Sequence, residues 1–148
     1  MRISSKGRYA LAAAINMAKF SNGVDPVTVV SISERLGISK IYLEQVFALL
    51  RRGGVVNSVK GAQGGYVFTR TPSQITAYDI LSAAEISLFE ATEETVAHNS
   101  PETDEAMQSL VFGPLDDAVI KSLAAATLED LVHETEKLKG DQSLMFFI

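Results

Sequence analysis

One stretch, residues 31–70, restricts the fold of this chain more than any other. Ser31-Ile32-Ser33-Glu34 has the form of a capping box. In such a box the Ser31 hydroxyl accepts from the Glu34 N–H, and the Glu34 carboxylate accepts from the Ser31 N–H. The pattern predicts a short helix that stops at Gly37, a residue free to take the left-handed conformation that closes a helix. Ser39 then caps a second helix. In it Leu43, Val46, Phe47 and Leu50 stand at i, i+3, i+4 and i+7, a stripe that must be buried. Lys40, Glu44, Gln45, Ala48, Arg51 and Arg52 occupy the opposite side, and Gly53-Gly54 ends the helix. Val55–Val59 and Tyr66–Arg70 then read as two short strands around a turn at Lys60–Gly65.

Two short helices, a tight glycine turn and a polar outer face form the helix-turn-helix pattern, although a plain helical hairpin shares part of it. The hairpin that follows directly reads as a wing. Gly61, Gly64 and Gly65 either let the tip approach another backbone or serve an ordinary turn. A phosphate-cradling nucleotide loop is disfavoured, because such loops need a strand before them and a helix after.

The flanking segments are helical. Lys6 to Phe20 carries a stripe of Leu11, Ala14, Ile15 and Ala18. Thr76-Ala77-Tyr78-Asp79 resembles a capping box with Asp at its end and opens a helix through Ile80, Leu81 and Ala84. Residues 85–101 are acidic without a strong period and read as a linker or mobile loop, and the acidic stretch from Glu90 to Glu105 reads as a solvated face rather than an acid–base pair. A long amphipathic helix is predicted from Thr103 to Ala126, kinked or restarted at Gly113-Pro114. Thr127-Leu128-Glu129-Asp130 starts a short helix that ends at Gly140. The chain closes on an apolar Leu144-Met145-Phe146-Phe147-Ile148, which either folds back on the protein or is captured by a partner. The expected fold class is mainly α with a small β-hairpin: a winged helix-turn-helix domain over 1–84, an acidic linker over 85–102, dimerisation helices over 103–139 and an apolar tail over 140–148.

Charge divides along the same line. Up to Pro72 there are ten lysines and arginines against three acids, and from Ser73 three lysines against fifteen acids. The net charge of −5 therefore conceals a basic module that suits a polyanion. The sequence has no cysteine, which removes disulfides, thiolate metal sites and cysteine nucleophiles. His98 and His133 are its two histidines, and neither has a second histidine at helical spacing. No motif places a nucleophile beside a base, so an enzyme is not expected. No apolar run reaches the roughly 18 residues that span a membrane, and Met1–Lys6 leads into no signal-type apolar stretch. A cytoplasmic protein is expected.

Several strings resemble the Rrf2 family of bacterial transcription regulators. They are Ser4-Ser5-Lys6-Gly7-Arg8-Tyr9-Ala10, Ser39-x-x-Tyr42-Leu43-Glu44-Gln45 and Arg51-x-Gly53-Gly54-Val55-Val56, followed by Val59-Lys60-Gly61-x-x-Gly64-Gly65-Tyr66 and Thr127-Leu128-Glu129-Asp130-Leu131. The resemblance covers nearly the whole chain. It implies a homodimer on a pseudo-palindromic site in double-stranded DNA, with the long helix as the dimer interface. It implies that Ser39, Tyr42, Glu44 and Gln45 meet DNA at the front of the second helix. Lys6, Arg8, Arg51 and Arg52 would then meet phosphates, and Lys60 with Gly61 would meet DNA at the wing. Glu44 suits a cytosine amine and Gln45 an adenine or a phosphate. Many relatives carry arginine at the Lys60 position, and lysine keeps that charge without the planar fork.

One branch of the family holds an iron–sulfur cluster through three cysteines and a histidine, which would fall between Glu94 and Leu110. This chain has no cysteine, so no cluster and no other cofactor is expected. The branch without those cysteines represses cysteine and sulfur-assimilation genes and ends in a similar tail. The likeness to it implies a complex with cysteine synthase through Phe147 and Ile148, whose terminal carboxylate would mimic that of the substrate.

Overall fold

The computed structural model describes residues 3–62, 64–91 and 94–146. Helix α1, Ser5–Phe20, is capped by the Ser4 hydroxyl, which accepts from the Gly7 N–H at 3.3 Å. It contacts the other core helices on several sides. Its fully buried line is Ala10, Ala13, Ala14 and Met17, whereas Leu11, Ile15 and Ala18 are only partly buried. The expected stripe was rotated because transfer energy favours the larger side chains. In a helix packed on several sides, the innermost line goes to alanines that let the neighbouring helices come close.

Helix α2, Val29–Leu36, starts one turn before the sequence signature placed it. Thr28 is the cap, accepting from the Ser31 N–H at 3.1 Å, and the Ser31 hydroxyl donates back to the Thr28 carbonyl at 2.8 Å. The earlier start buries Val29 beside Ile32. Gly37 ends the helix at φ 68°, as its sequence position predicted. Helix α3, Lys40–Arg52, is capped by Ser39 and buries Leu43, Val46, Phe47 and Leu50. A Cβ on Gly53 would lie 2.4 Å from the Ala83 methyl, so that glycine lets the end of α3 rest against the next helix.

Strands β1, Val56–Val59, and β2, Gly65–Phe68, pair antiparallel from Val56↔Phe68 to Val59↔Gly65. Val27 adds a single bridge to Tyr66, with two N–H···O bonds of 2.9 Å. Gly65 makes that bridge possible, since a Cβ there would sit 2.4 Å from the Val27 carbonyl oxygen. The backbone that approaches the hairpin is thus the protein's own. The hairpin is also fixed to α3: the Phe47 and Tyr66 rings stack at 4.6 Å, and the Val55 N–H donates to Leu50 O at 2.9 Å. The winged helix-turn-helix expected from residues 31–70 is the observed fold.

Helix α4, Ala77–Ala84, opens on the reciprocal Thr76–Asp79 capping box. A 3-10 turn at Ile86–Leu88 and irregular backbone lead to α5, Pro101–Met107, a π turn at Gln108–Phe112 and α6, Gly113–Ala124. The expected kink or restart at Gly113-Pro114 takes the form of a widened turn, after which α6 begins at Gly113. The Gly113 N–H donates five residues back to Gln108 O. Proline has no N–H and its ring crowds the carbonyl four residues earlier, and a π turn relieves both.

Helix α7, Leu128–Phe146, runs through Gly140 rather than stopping there. A glycine inside an exposed helix costs about 1 kcal/mol relative to alanine, which flanking helix formers outweigh. Its first residue, Leu128, is fully buried in the same core as Met17, Leu50 and Ile80. The Leu128 N–H donates to Ile75 O at 2.7 Å and the Ala77 N–H to Ala126 O at 2.8 Å, so the starts of α4 and α7 lie side by side. Lys19 of α1 pairs with Glu136 of α7 at 3.2 Å. No helix among the described residues is long and apolar enough to cross a membrane.

Candidate nucleic-acid interface

The outer side of α3 is built by what its inner side buries. With Leu43, Val46, Phe47 and Leu50 in the core, helical geometry turns Ile41, Glu44, Gln45 and Ala48 outward, and all four are exposed. Ser39 is exposed at the cap, where its hydroxyl accepts from the Tyr42 N–H at 3.2 Å. Glu44 pairs with Lys40 at 3.7 Å, an exposed i, i+4 contact worth about 0.3–0.5 kcal/mol, so Glu44 can exchange this partner at little cost. Tyr42 is half-buried, and its ring meets that of Tyr9 edge-on at 5.1 Å. This contact ties the front of α3 to the first turns of α1.

Cations surround this face. Arg51 and Arg52 are exposed at the end of α3, Lys60 at the end of β1, and Arg8 on α1, while Lys6 is half-buried. None of the five makes a salt bridge among the described residues, so their charge is open to an external anion. Gly61, at the wing tip, has φ 132° with open space around it. Its requirement there is conformational.

One anchor of this surface was not legible in the sequence. The Glu85 carboxylate accepts from the Ser4 N–H at 2.7 Å and from the Ser4 hydroxyl, and it lies against buried Gly7, whose absent side chain leaves the room. A carboxylate at a helix N-terminus is favoured by the helix dipole. The residue that opens the acidic stretch thereby fixes the end of α1 that carries Lys6 and Arg8. No local signal couples positions 81 residues apart. The proposed contact residues of α1, α3 and the wing are thus carried by elements that bond to one another. Phe147 and Ile148 lie outside the described residues.

Perturbed carboxylates lie away from this face. The Thr127 N–H and hydroxyl hold Asp130 below the ordinary carboxylate range at the start of α7. A hydrogen bond from Ser100 does the same for Glu102 in α5.

A winged helix-turn-helix with open cations around an exposed helix face, attached to a long helical rod, is the framework of a DNA-binding transcription regulator. Comparison with known proteins agrees. The chain belongs to the Rrf2 family, described as an iron-dependent transcriptional regulator, whose model matches residues 3–134. It is 38% identical over 151 aligned positions to the HTH-type transcriptional regulator CymR of Bacillus subtilis, covering all of both chains. It is 37% identical over 138 positions to the regulator IscR of Photorhabdus laumondii, covering 93% of this chain and 83% of that one. The solved structure of CymR, the global cysteine regulator of B. subtilis, superposes with a TM-score of 0.67 at 37% identity, covering 90% of this chain and 98% of that one. The chain is a transcription regulator and not an enzyme.

The family's iron does not find a cysteine-ligated site in this chain. The sequence holds no cysteine, and His98 is exposed in the segment where such ligands would stand. Among the described residues no three His, Asp or Glu side chains gather as a metal site. The residues present do not fit an iron–sulfur cluster.

Proposed function

We propose that this protein is a homodimeric repressor of cysteine and sulfur-metabolism genes that binds a pseudo-palindromic operator through α3 and the wing. The observation that carries the DNA reading is the exposed Glu44–Gln45 face of α3, flanked by Arg51 and Arg52 at the end of that helix and by Lys60 on the hairpin fixed to it, none of which pairs with an acid among the described residues. In this reading Ser39, Tyr42, Glu44 and Gln45 meet the major groove. Lys6, Arg8, Arg51 and Arg52 meet phosphates, and Lys60 with Gly61 meets DNA at the wing.

The rod supports a dimer. Neither α5 nor α6 buries a residue within the chain, and Leu110 is 79% exposed beside exposed Val111, Phe112 and Leu115. A face of that kind is covered by a second copy of the same helix. The metabolic assignment draws on full-length similarity to the B. subtilis global cysteine regulator. Regulation then runs without an iron–sulfur cluster.

Gel shifts test this reading. Glu44→Ala and Gln45→Ala should lose sequence preference, and Arg52→Ala should weaken all duplexes alike. Unchanged binding in all three removes the groove assignment.

A second reading makes the C-terminal tail the main effector surface, acting on cysteine synthase. Leu138, Leu144 and Met145 of α7 are exposed, Met145 by 78%, which supports a tail available to a partner. Deleting Phe147 and Ile148 should abolish capture of cysteine synthase and leave the dimer intact. Unaffected capture makes the tail structural only.

A further inference from the structure

We propose that Ile41 is a specificity-determining residue that reads a thymine methyl group in each operator half-site, an inference that rests on the DNA-binding reading of α3. Ile41 is 72% exposed at the second position of α3. It shares an outward strip with Glu44, Gln45 and Ala48, at i, i+3, i+4 and i+7, while the strip on the other side fills the core. Local structure gives no reason for isoleucine here. A β-branched side chain is a poorer helix former than the lysine before it, and its apolar surface is left in water. Among the described residues the core cluster does not include it.

Its surroundings indicate what does. Ser39, Lys40, Glu44 and Gln45 around it are polar or charged and exposed, which is the setting of a groove-reading face and a poor one for a protein–protein core. In the major groove each base-pair edge offers donors and acceptors, and the apolar group among them is the C5 methyl of thymine. The two side chains beside Ile41 supply the complementary hydrogen bonding, an acceptor at Glu44 and a bidentate amide at Gln45. An isoleucine one turn ahead of them adds a methyl contact at the adjoining base pair. Removing one methyl from such a contact changes affinity roughly three- to tenfold.

The test uses the full-length protein and a duplex selected for tight binding. Each thymine is replaced in turn by uracil, which keeps the pairing and deletes only the methyl. The wild-type chain should lose roughly three- to tenfold at one position per half-site. Ile41→Ala should bind the thymine duplex more weakly by a similar factor and become indifferent to uracil there. Ile41→Val should keep most of the sensitivity. The side chain is exposed, so these variants keep the fold, which circular dichroism and the dimer mass verify. Ile41→Ala retaining the full uracil penalty, or a wild-type chain indifferent to every uracil, overturns the assignment and leaves the DNA reading standing. Ile41→Ala altering the oligomer without altering uracil sensitivity overturns it in favour of a protein contact. A wild-type chain with no preference among duplexes overturns both the DNA reading and this inference.

Discussion

Replacing Leu128 by alanine should damage the winged domain, although this position lies 44 positions beyond the end of α4 at Ala84. Leu128 is fully buried, in one core with α1, α3 and α4. Its backbone is held to Ile75 at 2.7 Å, and the neighbouring bond from Ala77 to Ala126 at 2.8 Å fixes the same junction. Truncating a buried leucine costs about 2–5 kcal/mol, rising with the cavity that stays open. The doubled backbone tie limits collapse, which places this site toward the upper part of that range, about 3–4 kcal/mol. At about 2–4 °C per kcal/mol for a chain of this size, the midpoint should fall by roughly 6–16 °C. The assay is urea and thermal unfolding followed by circular dichroism at one fixed protomer concentration, because a dimer's midpoint depends on concentration. Leu144→Ala, on the exposed end of the same helix, is the control and should change stability by less than about 0.5 kcal/mol. A loss under about 1 kcal/mol for Leu128→Ala would show that α7 is a separable element, and the shared core would be refuted.

Three further outcomes follow from the geometry. Gly65→Ala places a methyl on the Val27 carbonyl, so it should split the Val27–Tyr66 bridge, cost about 1–3 kcal/mol and weaken binding to all duplexes; unfolding titrations and gel shifts measure both. Arg52→Ala should shallow the dependence of log affinity on log salt by about 1 if it removes one phosphate contact, read from fluorescence anisotropy across a salt series. The Asp130 carboxylate is held below its ordinary range by Thr127, so its contribution is complete above that range and is lost as pH falls through the lowered value. Asp130→Asn, which does not titrate, should therefore show a shallower loss of α7 anchoring in acid, visible in pH titrations of helicity.

Local chemistry carried most of the winged domain. Gly37, Ser39 and the stripe from Leu43 to Leu50 each act within one or two turns, so their roles are written in adjacent residues. Thr28 and Ser31 are both competent caps, and the choice between them was made by burying Val29, a tertiary effect. Gly140 was misleading because a glycine stops a helix only when the backbone turns left-handed there, and α7 does not turn. Glu85 on the cap of α1 and Leu128 in the core join segments far apart in sequence, and neither has a periodic or capping signature that points to its partner. Among the candidate contact residues, Glu44, Gln45, Arg51 and Arg52 were legible because they lie opposite a buried stripe, whereas Lys6, Arg8, Ser39 and Tyr42 were singled out by the family resemblance. Ile41 was assigned to neither face by the sequence; its exposure emerges once Leu43, Val46, Phe47 and Leu50 are packed inward.

The central claim is that two copies of α3 read a two-fold-related DNA site. The most direct measurement is selection of duplexes from a random pool by the full-length protein, followed by sequencing of the bound fraction. The expected result is an inverted repeat whose half-sites lie about one helical turn apart, with the preference lost in Glu44→Ala and Gln45→Ala. Enrichment of a single unrepeated element, or the same inverted repeat from both variants, would contradict it.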